Sequence, residues 1–464
     1  MSKESGGIGR MDKFGRRDFL ATTLAMATLP TIARAPRRTR PAPTPQQLGW
    51  QRDELAMFIH FGVNTFSNRE WGDGTEDPAT FAPTALDATQ WARAARAAGF
   101  RAMILTAKHH DGFCLWPTTT TPHSVAQSPF RGGAGDVVGE FAMACRREGL
   151  RVGLYLSPWD RNAPSYGDSP RYNDLYVAQL TELLTRYGRI HEVWFDGANG
   201  EGPNGKRQRY DWPRFWATVR RLQPEAVIFS DAGPDLRWIG NERGAAGETN
   251  WSTVDPRVIT EPGMSGPAVM RQLQEGDPDG SVWRPGETDV SIRPGWFWHP
   301  AEDGSVRSAD DLVELYFSSV GRNSKLLLNV PPTRAGRLHE TDIAHLNAMR
   351  ERLDTMFGTP MTGSNMAWQS TGASSASALL DGLPAEGRIS VIDLREEITM
   401  GQRVARYVVE ARDQDGWEEV ARGTTIGCRR LHRIAPRHVS GLRLRLLETV
   451  DQPLPVAIRT YHAG

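Results

Sequence analysis

The sequence is poor in cysteine, has no excess of charge of either sign, and lacks a phosphate-binding glycine loop. Three cysteines in 464 residues, Cys114, Cys145 and Cys428, cannot form a disulfide framework. The 55 basic and 55 acidic residues balance, so the composition gives no indication of a nucleic acid or another polyanion as partner. No Gly-rich loop follows the first predicted strand, which argues against a dinucleotide-binding fold.

The apolar run near the N-terminus is too short to span a bilayer as a permanent anchor, so none is expected there. This run follows the twin arginines of GRRDFLATTLAMATLP, and the small-x-small sequence ARA after it is a cleavage site. We therefore predict a twin-arginine signal peptide over residues 1–35 and an extended, Pro-rich linker over residues 36–47. Export by this route predicts a periplasmic or secreted protein; a retained segment or a disordered tail is the alternative.

Strand-like and helix-like segments alternate about eight times over residues 48–357. Amphipathic runs such as ATQWARAARAAG and DVVGEFAMACRREG end in Gly, as helices often do. The alternation predicts an α/β fold with a parallel (β/α)8 TIM-like barrel, in preference to an open doubly wound sheet. The predicted strands are LAMFIHFG, RAMILTAKHH, RVGLYLSP, HEVWFDG, AVIFSDAG, a weak one near ETNWST, TDVSIRPGW and KLLLNV.

The sequence pattern changes over residues 358–464, where apolar and polar residues alternate with period two in short runs. Polar turns separate ISVIDLREEI, ARYVVEARD, HVSGLRLRLLE and LPVAIRTYH. This pattern predicts a C-terminal antiparallel β-sandwich. Such a domain could bind carbohydrate, but the lack of a clustered aromatic triad favours a role in bracing the barrel.

Polar and aromatic residues stand at the predicted carboxyl ends of the barrel strands, where such barrels carry their catalytic groups. Asp196 ends the short apolar strand HEVWFDG beside Trp194, and a charge there is costly unless it is paired or used. Three histidines, a tyrosine and several tryptophans at other strand ends predict a pocket suited to a hydroxyl-rich ring. These strand-end residues are His60, His109, His110, Asp111, Tyr155, Asp231, Arg293, Trp296 and Trp298.

This set of motifs resembles the α-L-fucosidases of glycoside hydrolase family 29. The resemblance runs from about Trp50 to Pro332 and rests on MFIHFGVNTF, REW, AKHHDGFCLW, WFDG, RWIGNE and DVSIRPGWFW. The GNE and SIRPGW elements are more similar to the family's branch that acts on branched α-1,3- and α-1,4-linked fucose than to its broad-specificity branch. The implied partner is a fucosylated oligosaccharide or glycan, with no cofactor and no metal.

The resemblance implies a retaining double displacement. Asp196 matches the nucleophile, and Glu242, within GNE, matches the acid/base and should have a raised pKa. Retention needs two carboxyl groups about 5 to 5.5 Å apart, so Glu242, on a loop after the fifth strand, must fold over the mouth toward Asp196. Other acids in the predicted mouth loops are alternatives for the acid/base: Asp231, Asp235, Glu248 and Glu287.

The same resemblance implies a set of substrate-binding residues. The histidines and Glu70 are expected to bind fucose hydroxyls, and Tyr155 to lie near the nucleophile. Trp71 and Trp298 are expected against the methyl-bearing face of the sugar. Three charged residues of the seventh predicted strand are expected either to contact the aglycone or to form a salt-bridge network at the rim: Glu287, Asp289 and Arg293. The full set is His60, Glu70, Trp71, His109, His110, Tyr155, Trp194, Glu287, Asp289, Arg293, Trp296 and Trp298.

Other functions compete with this interpretation. A broad-specificity α-L-fucosidase, or a glycosidase for another deoxy-sugar, would use the same barrel. A metal-dependent barrel hydrolase would use His60, the HHD sequence and Asp196 as ligands, but such barrels commonly open with His-x-His, and His60 stands alone. A non-catalytic fucose-binding protein is disfavoured because both candidate carboxylates are present. The sequence does not indicate an oligomeric state.

Overall fold

The computed structural model describes residues 40–361, 365–383, 388–413 and 416–462. The predicted export signal and the first four residues of the predicted linker lie outside these ranges, so both stay predictions. Among the described residues, no helix is long and apolar enough to cross a membrane.

Eight of the strands between residues 55 and 329 form one parallel sheet, in the order β5-β4-β3-β2-β1-β10-β9-β6. The other two, β7 and β8, form a separate antiparallel pair. In chain order the strands are β1 (Leu55–Ile59), β2 (Ala102–Lys108), β3 (Arg151–Leu156), β4 (Glu192–Trp194), β5 (Val227–Phe229), β6 (Arg237–Trp238), β7 (Thr253–Val254), β8 (Val282–Trp283), β9 (Gly286–Ser291) and β10 (Ser324–Asn329).

Helices cover the outside of this sheet. The edge strands β5 and β6 approach each other, because the backbone amides of Asp235 and Leu236 both donate to the Ile228 carbonyl. The sheet is thus a nearly closed barrel, which confirms the predicted fold class. The helices are α1 (Pro45–Arg52), α2 (Val63–Ser67), α3 (Ala88–Ala97), α4 (Val137–Arg147), α5 (Ser169–Arg186), α6 (Trp212–Leu222), α7 (Pro267–Glu275), α8 (Ala309–Ser318) and α9 (Glu340–Phe357).

The barrel strands are buried on both faces, as their continuous apolar runs require. All seven residues of β2 are buried. Met103 and Leu105 belong to the layer that packs against the helices. Ile104, between them, points into the barrel and packs in a cluster with Phe58 and Tyr155. The strand ends therefore project inward-facing side chains into a common mouth.

The sixth barrel strand is β6, so its predicted position near ETNWST is wrong. That segment runs into β7, which pairs with β8 outside the barrel sheet. Strand β6 has only two residues, so it shows no detectable periodicity, and one of the two is an arginine. Arg237 is nevertheless buried, because its guanidinium donates to the Leu273 carbonyl at 3.0 Å and to the Asn250 side chain at 2.6 Å. Glu242 consequently follows the sixth strand and not the fifth.

Helix α1 begins at Pro45, so the extended linker predicted for residues 36–47 is wrong in its last three residues. Thr44 caps the helix: its hydroxyl accepts the Gln47 amide at 3.2 Å, and the Gln47 side chain accepts the Thr44 amide at 2.9 Å. This reciprocal capping box, with Pro at the first position, starts a helix even in a Pro-rich stretch. Trp50 then buries its ring inside the amino-terminal end of the barrel.

The C-terminal region is a sandwich of two antiparallel sheets, as predicted. A five-stranded sheet, β11-β12-β17-β14-β15, packs on a three-stranded sheet, β16-β13-β18. Alternate residues such as Leu442, Leu444 and Ile392 meet in the core between them. The strands are β11 (Asn365–Ser370), β12 (Ala376–Asp381), β13 (Arg388–Glu396), β14 (Val404–Arg412), β15 (Trp417–Gly423), β16 (Arg430–His438), β17 (Gly441–Thr449) and β18 (Val456–His462).

An ionic cluster joins the sandwich to the barrel. Arg429 donates to Glu54, directly before β1, at 2.9 Å and pairs with Asp393 of the sandwich at 2.9 Å. Arg395 lies 3.3 Å from both of these carboxylates. Asp393 is completely buried, and a buried carboxylate is tolerated only when it is paired in this way.

A second buried ion pair lies behind the mouth of the barrel. The ammonium of Lys108, at the end of β2, is 2.9 Å from Asp160, and both side chains are almost fully buried. Lys108 also donates to the Gln179 side chain at 2.9 Å. The other Asp160 oxygen accepts two backbone amides of its own loop. The pair therefore fixes the segment after β3 against the end of β2.

Lys108→Met is expected to lower the free energy of unfolding by about 3–5 kcal/mol, because it leaves Asp160 buried without its cation. Urea unfolding followed by tryptophan fluorescence measures this loss. The control is Arg93→Ala, which breaks an ion pair with Glu148 in which the arginine side chain is 71% exposed. The control should cost less than about 1 kcal/mol, and equal losses in the two variants would contradict the argument.

Candidate active site

A cavity of about 200 Å³ opens at the carboxyl ends of the barrel strands. All the predicted catalytic and substrate-binding residues line it except Glu287, Arg293 and Trp298, and the strand-end residues Asp111 and Asp231 do not line it. The lining residues are Phe58, His60, Glu70, Trp71, His109, His110, Tyr155, Trp194, Asp196, Ala198, Glu242, Asp289 and Trp296.

The Asp196 carboxylate, two residues beyond β4, is held from two sides. The Tyr155 hydroxyl donates to Oδ2 at 3.0 Å, and the Ala198 amide donates to Oδ1 at 2.6 Å. Burial and the negative charge of Asp196 raise the pKa of Tyr155 well above its ordinary value, so the phenol keeps its proton and stays a donor. With its side chain 26% exposed, Asp196 is both oriented and accessible from the cavity.

Glu242 stands on a tight turn that begins beyond β6. Gly240 and Gly244 flank it with φ angles of +82° and +70°, values at which a side chain would be strained. The Asn241 side chain closes the turn through hydrogen bonds to the backbone on the far side of Glu242. Burial, followed by the negative charge of Asp196, raises the pKa of the Glu242 carboxyl. The turn thus presents to the cavity a carboxyl group that tends to keep its proton.

The other acids considered for the same role do not line the cavity. Asp235 and Glu248 form ion pairs with arginines. Asp231 accepts a backbone amide at 2.8 Å from a neighbouring loop. Glu287 is buried deeper inside the barrel. Among these candidates, the geometry favours Glu242.

Burial favours the neutral form of the three cavity histidines. Burial lowers the pKa of His60 to about 3, and burial also lowers the pKa of His109 and of His110. Nδ1 of His60 lies 2.8 Å from the Asn329 side chain, and Nδ1 of His110 lies 2.8 Å from the Ser157 hydroxyl. A neutral imidazole offers one donor and one acceptor, which suits it to hydroxyl groups.

Glu70 anchors the loop after β9 as well as lining the cavity. Its carboxylate accepts the amides of Trp296 at 2.8 Å and of Phe297 at 3.1 Å, and it lies 2.7 Å from Nε2 of His299. These contacts hold the Trp296 ring at the cavity wall. Trp71, the next residue along the chain, is 59% exposed, so its ring is free to stack against a sugar.

Strand β9 places two acids at different depths. Asp289 lines the cavity and accepts the Trp238 indole N–H at 2.8 Å; burial raises the pKa of Asp289 to about 8, and the charge of Glu242 adds to this shift. Glu287, two residues earlier, accepts the Trp194 indole N–H at 2.9 Å. Burial raises the pKa of Glu287 well above its ordinary range. Asp289 faces the cavity, while Glu287 supports Trp194 from below.

Arg293 and Trp298 form a network behind the rim. The buried Arg293 guanidinium pairs with Asp342 at 2.9 Å and with Asp303 at 2.8 Å. The Trp298 indole donates to the same Asp303 at 3.0 Å. For Arg293, these contacts are those of the salt-bridge network that the sequence left open as an alternative to aglycone binding. Trp298 was expected against the methyl-bearing face of the sugar, but it does not line the cavity, because its indole is bound to Asp303 behind the rim.

Asp111, one of the residues considered as metal ligands, is hydrogen-bonded to other groups of the protein. Asp111 accepts the Asn64 side-chain amide at 3.0 Å and the Phe113 backbone amide at 2.7 Å. Across the described ranges, no group of three His, Cys, Asp or Glu side chains is placed to hold a metal ion.

The sequence matches the alpha-L-fucosidase family over residues 37–355, which is more than half of the chain. The chain belongs to this family. It is a glycoside hydrolase of family 29, as its motifs implied, and α-L-fucosidase activity follows.

Three relatives illustrate the similarity. Alpha-L-fucosidase 1 of Arabidopsis thaliana is 45% identical over 421 residues, which cover 85% of this chain and 82% of the plant protein. A glycoside hydrolase 29 family member from an unknown rumen bacterium has a similar crystal structure, with a TM-score of 0.84, 40% identity, and coverage of 92% of this chain and 78% of that chain. A Ruminococcus gnavus GH29 fucosidase in complex with fucose gives a TM-score of 0.81, 31% identity, and coverage of 91% and 95%.

Two supporting residues of this α-L-fucosidase were not singled out in the sequence. Asn329 is the last residue of β10, and Ser157 is the first residue after β3. Both are polar residues at strand ends, so the rule that found the histidines would also have found them. Phe58 and Ala198, which complete the lining, are apolar and carry no such signal.

In this α-L-fucosidase, Asp289→Asn is expected to stabilise the fold increasingly as the pH rises. The folded chain keeps a proton up to about pH 8 that the unfolded chain releases near the ordinary value of 3.8. Stability therefore falls with rising pH in this window, by up to about 1.4 kcal/mol per pH unit, and asparagine removes that loss. Urea unfolding at about pH 5 and about pH 8 should show a larger gain at the higher pH.

The control for this measurement is Asp279→Asn, which removes a carboxylate from the surface. It should change the free energy of unfolding similarly at both pH values. A gain from Asp289→Asn that is no larger at about pH 8 than at about pH 5 would contradict the expected proton on Asp289.

Proposed function

We propose that this α-L-fucosidase is a retaining exo-enzyme that releases terminal α-1,3- or α-1,4-linked L-fucose from oligosaccharides or glycans. The observation that carries the proposal is the presence, in one cavity, of an oriented carboxylate and of a carboxyl with a raised pKa. Asp196 fits the nucleophile, because donors hold both of its oxygens. Glu242 fits the acid/base, because only a protonated group can protonate a leaving oxygen.

The first chemical step forms a glycosyl-enzyme. The Asp196 carboxylate attacks the anomeric carbon, and the bond from that carbon to the leaving oxygen breaks. The Glu242 proton passes to that oxygen, so the aglycone leaves as an alcohol and Glu242 becomes a carboxylate. The negative charge of Asp196, which favours the protonated form of Glu242 in the free enzyme, is removed when the ester forms. The pKa of Glu242 then falls, so the group stays ionised, which is the form that can accept a proton from water.

The second step releases fucose. A water molecule gives a proton to the Glu242 carboxylate while its oxygen attacks the anomeric carbon. The bond between that carbon and Asp196 breaks, which restores the carboxylate and leaves fucose with its original anomeric configuration. Two inversions at one carbon thus give retention.

The walls of the cavity support recognition of a single terminal sugar. Its volume of about 200 Å³ suits one ring and not a chain. Neutral His60, His109 and His110 can exchange hydrogen bonds with hydroxyls, and the exposed Trp71 ring can pack on the apolar face of the sugar. The fucose bound to the Ruminococcus gnavus relative agrees with this assignment.

The linkage preference rests on two motifs at the mouth. GNE forms the turn that carries Glu242, and SIRPGW forms the loop anchored by Arg293 and Glu70. Both motifs are similar to the family branch that acts on branched fucose, and each contributes a residue to the cavity lining, Glu242 and Trp296. A broad-specificity α-L-fucosidase is the alternative.

Asp196→Ala and Glu242→Ala are both expected to abolish release of fucose from a natural glycoside. With an aryl fucoside that needs no protonation, Glu242→Ala should keep a fast first step, but fucose should be released slowly, because the attacking water has lost its base and general acid–base catalysis contributes about 10²–10⁴-fold. Added azide should then give α-fucosyl azide with Glu242→Ala and β-fucosyl azide with Asp196→Ala. Product configuration is measured by proton NMR.

The control variant is Glu248→Ala, whose carboxylate is tied to Arg322 and Arg430 away from the cavity. It should keep kcat/KM close to the wild-type value. Retained activity in Asp196→Ala, or rescue by azide in Glu248→Ala and not in Glu242→Ala, would assign the roles to other residues.

The linkage preference predicts a higher kcat/KM on a branched trisaccharide with α-1,3- or α-1,4-linked fucose than on an α-1,2-linked fucoside or an aryl fucoside. The physical reason is that loop contacts to the branch contribute only in the first case. Released fucose is quantified from each substrate at equal concentration. Equal rates on all three would support the broad-specificity alternative.

A further inference from the structure

The surroundings of His110, the histidine beside Asp196, indicate which of its ring nitrogens carries the proton. The ring is 4% exposed, its Nδ1 lies 2.8 Å from the Ser157 hydroxyl, and its Nε2 lies 3.9 Å from Oδ2 of Asp196. A neutral imidazole carries its proton on one of these nitrogens, and the partners decide which.

Ser157 decides the tautomer, because its single proton is used elsewhere. Its hydroxyl donates to the Trp159 carbonyl at 2.7 Å, and a carbonyl can only accept. The Tyr155 hydroxyl, whose own proton goes to Asp196, is a second acceptor beside Ser157. Ser157 is completely buried, so turning its proton to His110 would leave the Trp159 carbonyl without this bond. The Ser157 oxygen therefore accepts a hydrogen bond from Nδ1–H of His110.

The other nitrogen of His110 then carries a lone pair. Burial lowers the pKa of His110; the charge of Asp196 opposes this shift, and the charges of Arg161 and Lys108 add to it. These effects favour the neutral ring, and with the proton on Nδ1 the Nε2 lone pair faces the Asp196 carboxylate across 3.9 Å. Two acceptors at this separation leave room for the oxygen of a hydroxyl group that supplies one proton.

We propose that Ser157 is a positioning residue that holds His110 as the Nδ1–H tautomer, so that Nε2 accepts the proton of a fucose hydroxyl beside Asp196. The inference rests on the proposed role of Asp196 as nucleophile. A hydroxyl that donates to Nε2 does not donate to Asp196, so the carboxylate keeps its electron pair for attack on the anomeric carbon. Ser157 thus acts on the reaction through the direction of one hydrogen bond.

His60 shows the same arrangement with a different partner. The Asn329 amide nitrogen donates to the Ser291 hydroxyl at 2.9 Å and to the Trp296 carbonyl at 2.8 Å, which fixes its oxygen toward His60. Nδ1 of His60, 2.8 Å from that oxygen, is therefore the protonated nitrogen. Both histidines direct Nδ1–H into the protein and leave Nε2 as acceptor, which matches a ligand rich in hydroxyl donors.

The tautomer is read directly by NMR of the free enzyme labelled with ¹⁵N-histidine, because protonated and unprotonated ring nitrogens have well-separated shifts. His110→Ala identifies the signals of this ring. We expect protonated Nδ1 and unprotonated Nε2 in the wild type, and a mixture of tautomers in Ser157→Ala. Protonated Nε2 in the wild type would overturn the inference. This measurement uses no substrate, so its failure is distinct from failure of the proposed function.

The consequence for binding is tested with free fucose analogues as inhibitors of aryl fucoside hydrolysis. Each hydroxyl is replaced in turn by hydrogen or by fluorine, which can accept but not donate a hydrogen bond. The hydroxyl that contacts His110 is identified as the one whose replacement no longer weakens binding in His110→Ala. At this position, the fluoro sugar and the deoxy sugar should each bind the wild type about 10-fold more weakly than fucose does. In Ser157→Ala the fluoro sugar should regain affinity over the deoxy sugar.

The matched control is Ser128→Ala, which removes another buried hydroxyl that donates to a backbone carbonyl, at 2.7 Å, outside the cavity lining. It should leave both the His110 signals and the analogue series unchanged. A fluoro sugar that binds the wild type as tightly as fucose at the His110 position would overturn the inference. If Ser157→Ala does not fold, the wild-type spectra and the wild-type analogue series still decide the outcome.

Discussion

Polar side chains buried at the mouth of the barrel must find partners inside the protein, and this constraint shapes the whole site. Several of these side chains are bonded on the side that points away from the cavity: Tyr155 to Asp196, His60 to Asn329, and Glu70 to the amides of the loop after β9. An unpaired buried donor or acceptor costs about 1–3 kcal/mol, so the pairing fixes these side chains before a sugar binds. The cavity is preorganised because its supports leave few other arrangements.

Much of this site could be predicted because parallel strands bring their carboxyl ends together. That rule places the histidines, Tyr155 and Asp196 at one mouth from the pattern of apolar runs alone. The same rule does not predict how deep in the barrel each side chain lies. Glu287 and Asp289 face the same way on β9, but two residues separate them by about 6.6 Å along the strand. Asp289 reaches the cavity, while Glu287 stops one layer below, at Trp194.

Other features could not be predicted because tertiary contacts override local pattern. Strand β6 has two residues and a buried arginine, and only acceptors more than ten residues away make its burial tolerable. For Arg293 the sequence left aglycone contact and a salt-bridge network both open, and the ion pair with Asp342, from helix α9, decides for the network. The start of helix α1 was missed for a local reason, because the capping box at Thr44 starts a helix although the segment is Pro-rich. In each case the periodicity of the sequence does not reveal the contact that decides the structure.

The ionic cluster between barrel and sandwich connects the two ends of the described chain. Glu54 is followed at once by the first barrel strand, and Arg429 lies 375 residues later, so their contact spans most of the polypeptide. During synthesis the barrel segments emerge first, and this contact cannot form until the sandwich has left the ribosome. Contacts between such distant residues form late and slowly. The sandwich thus makes the barrel's final stability depend on a complete chain, and a prematurely terminated product would lack the cations that Glu54 requires.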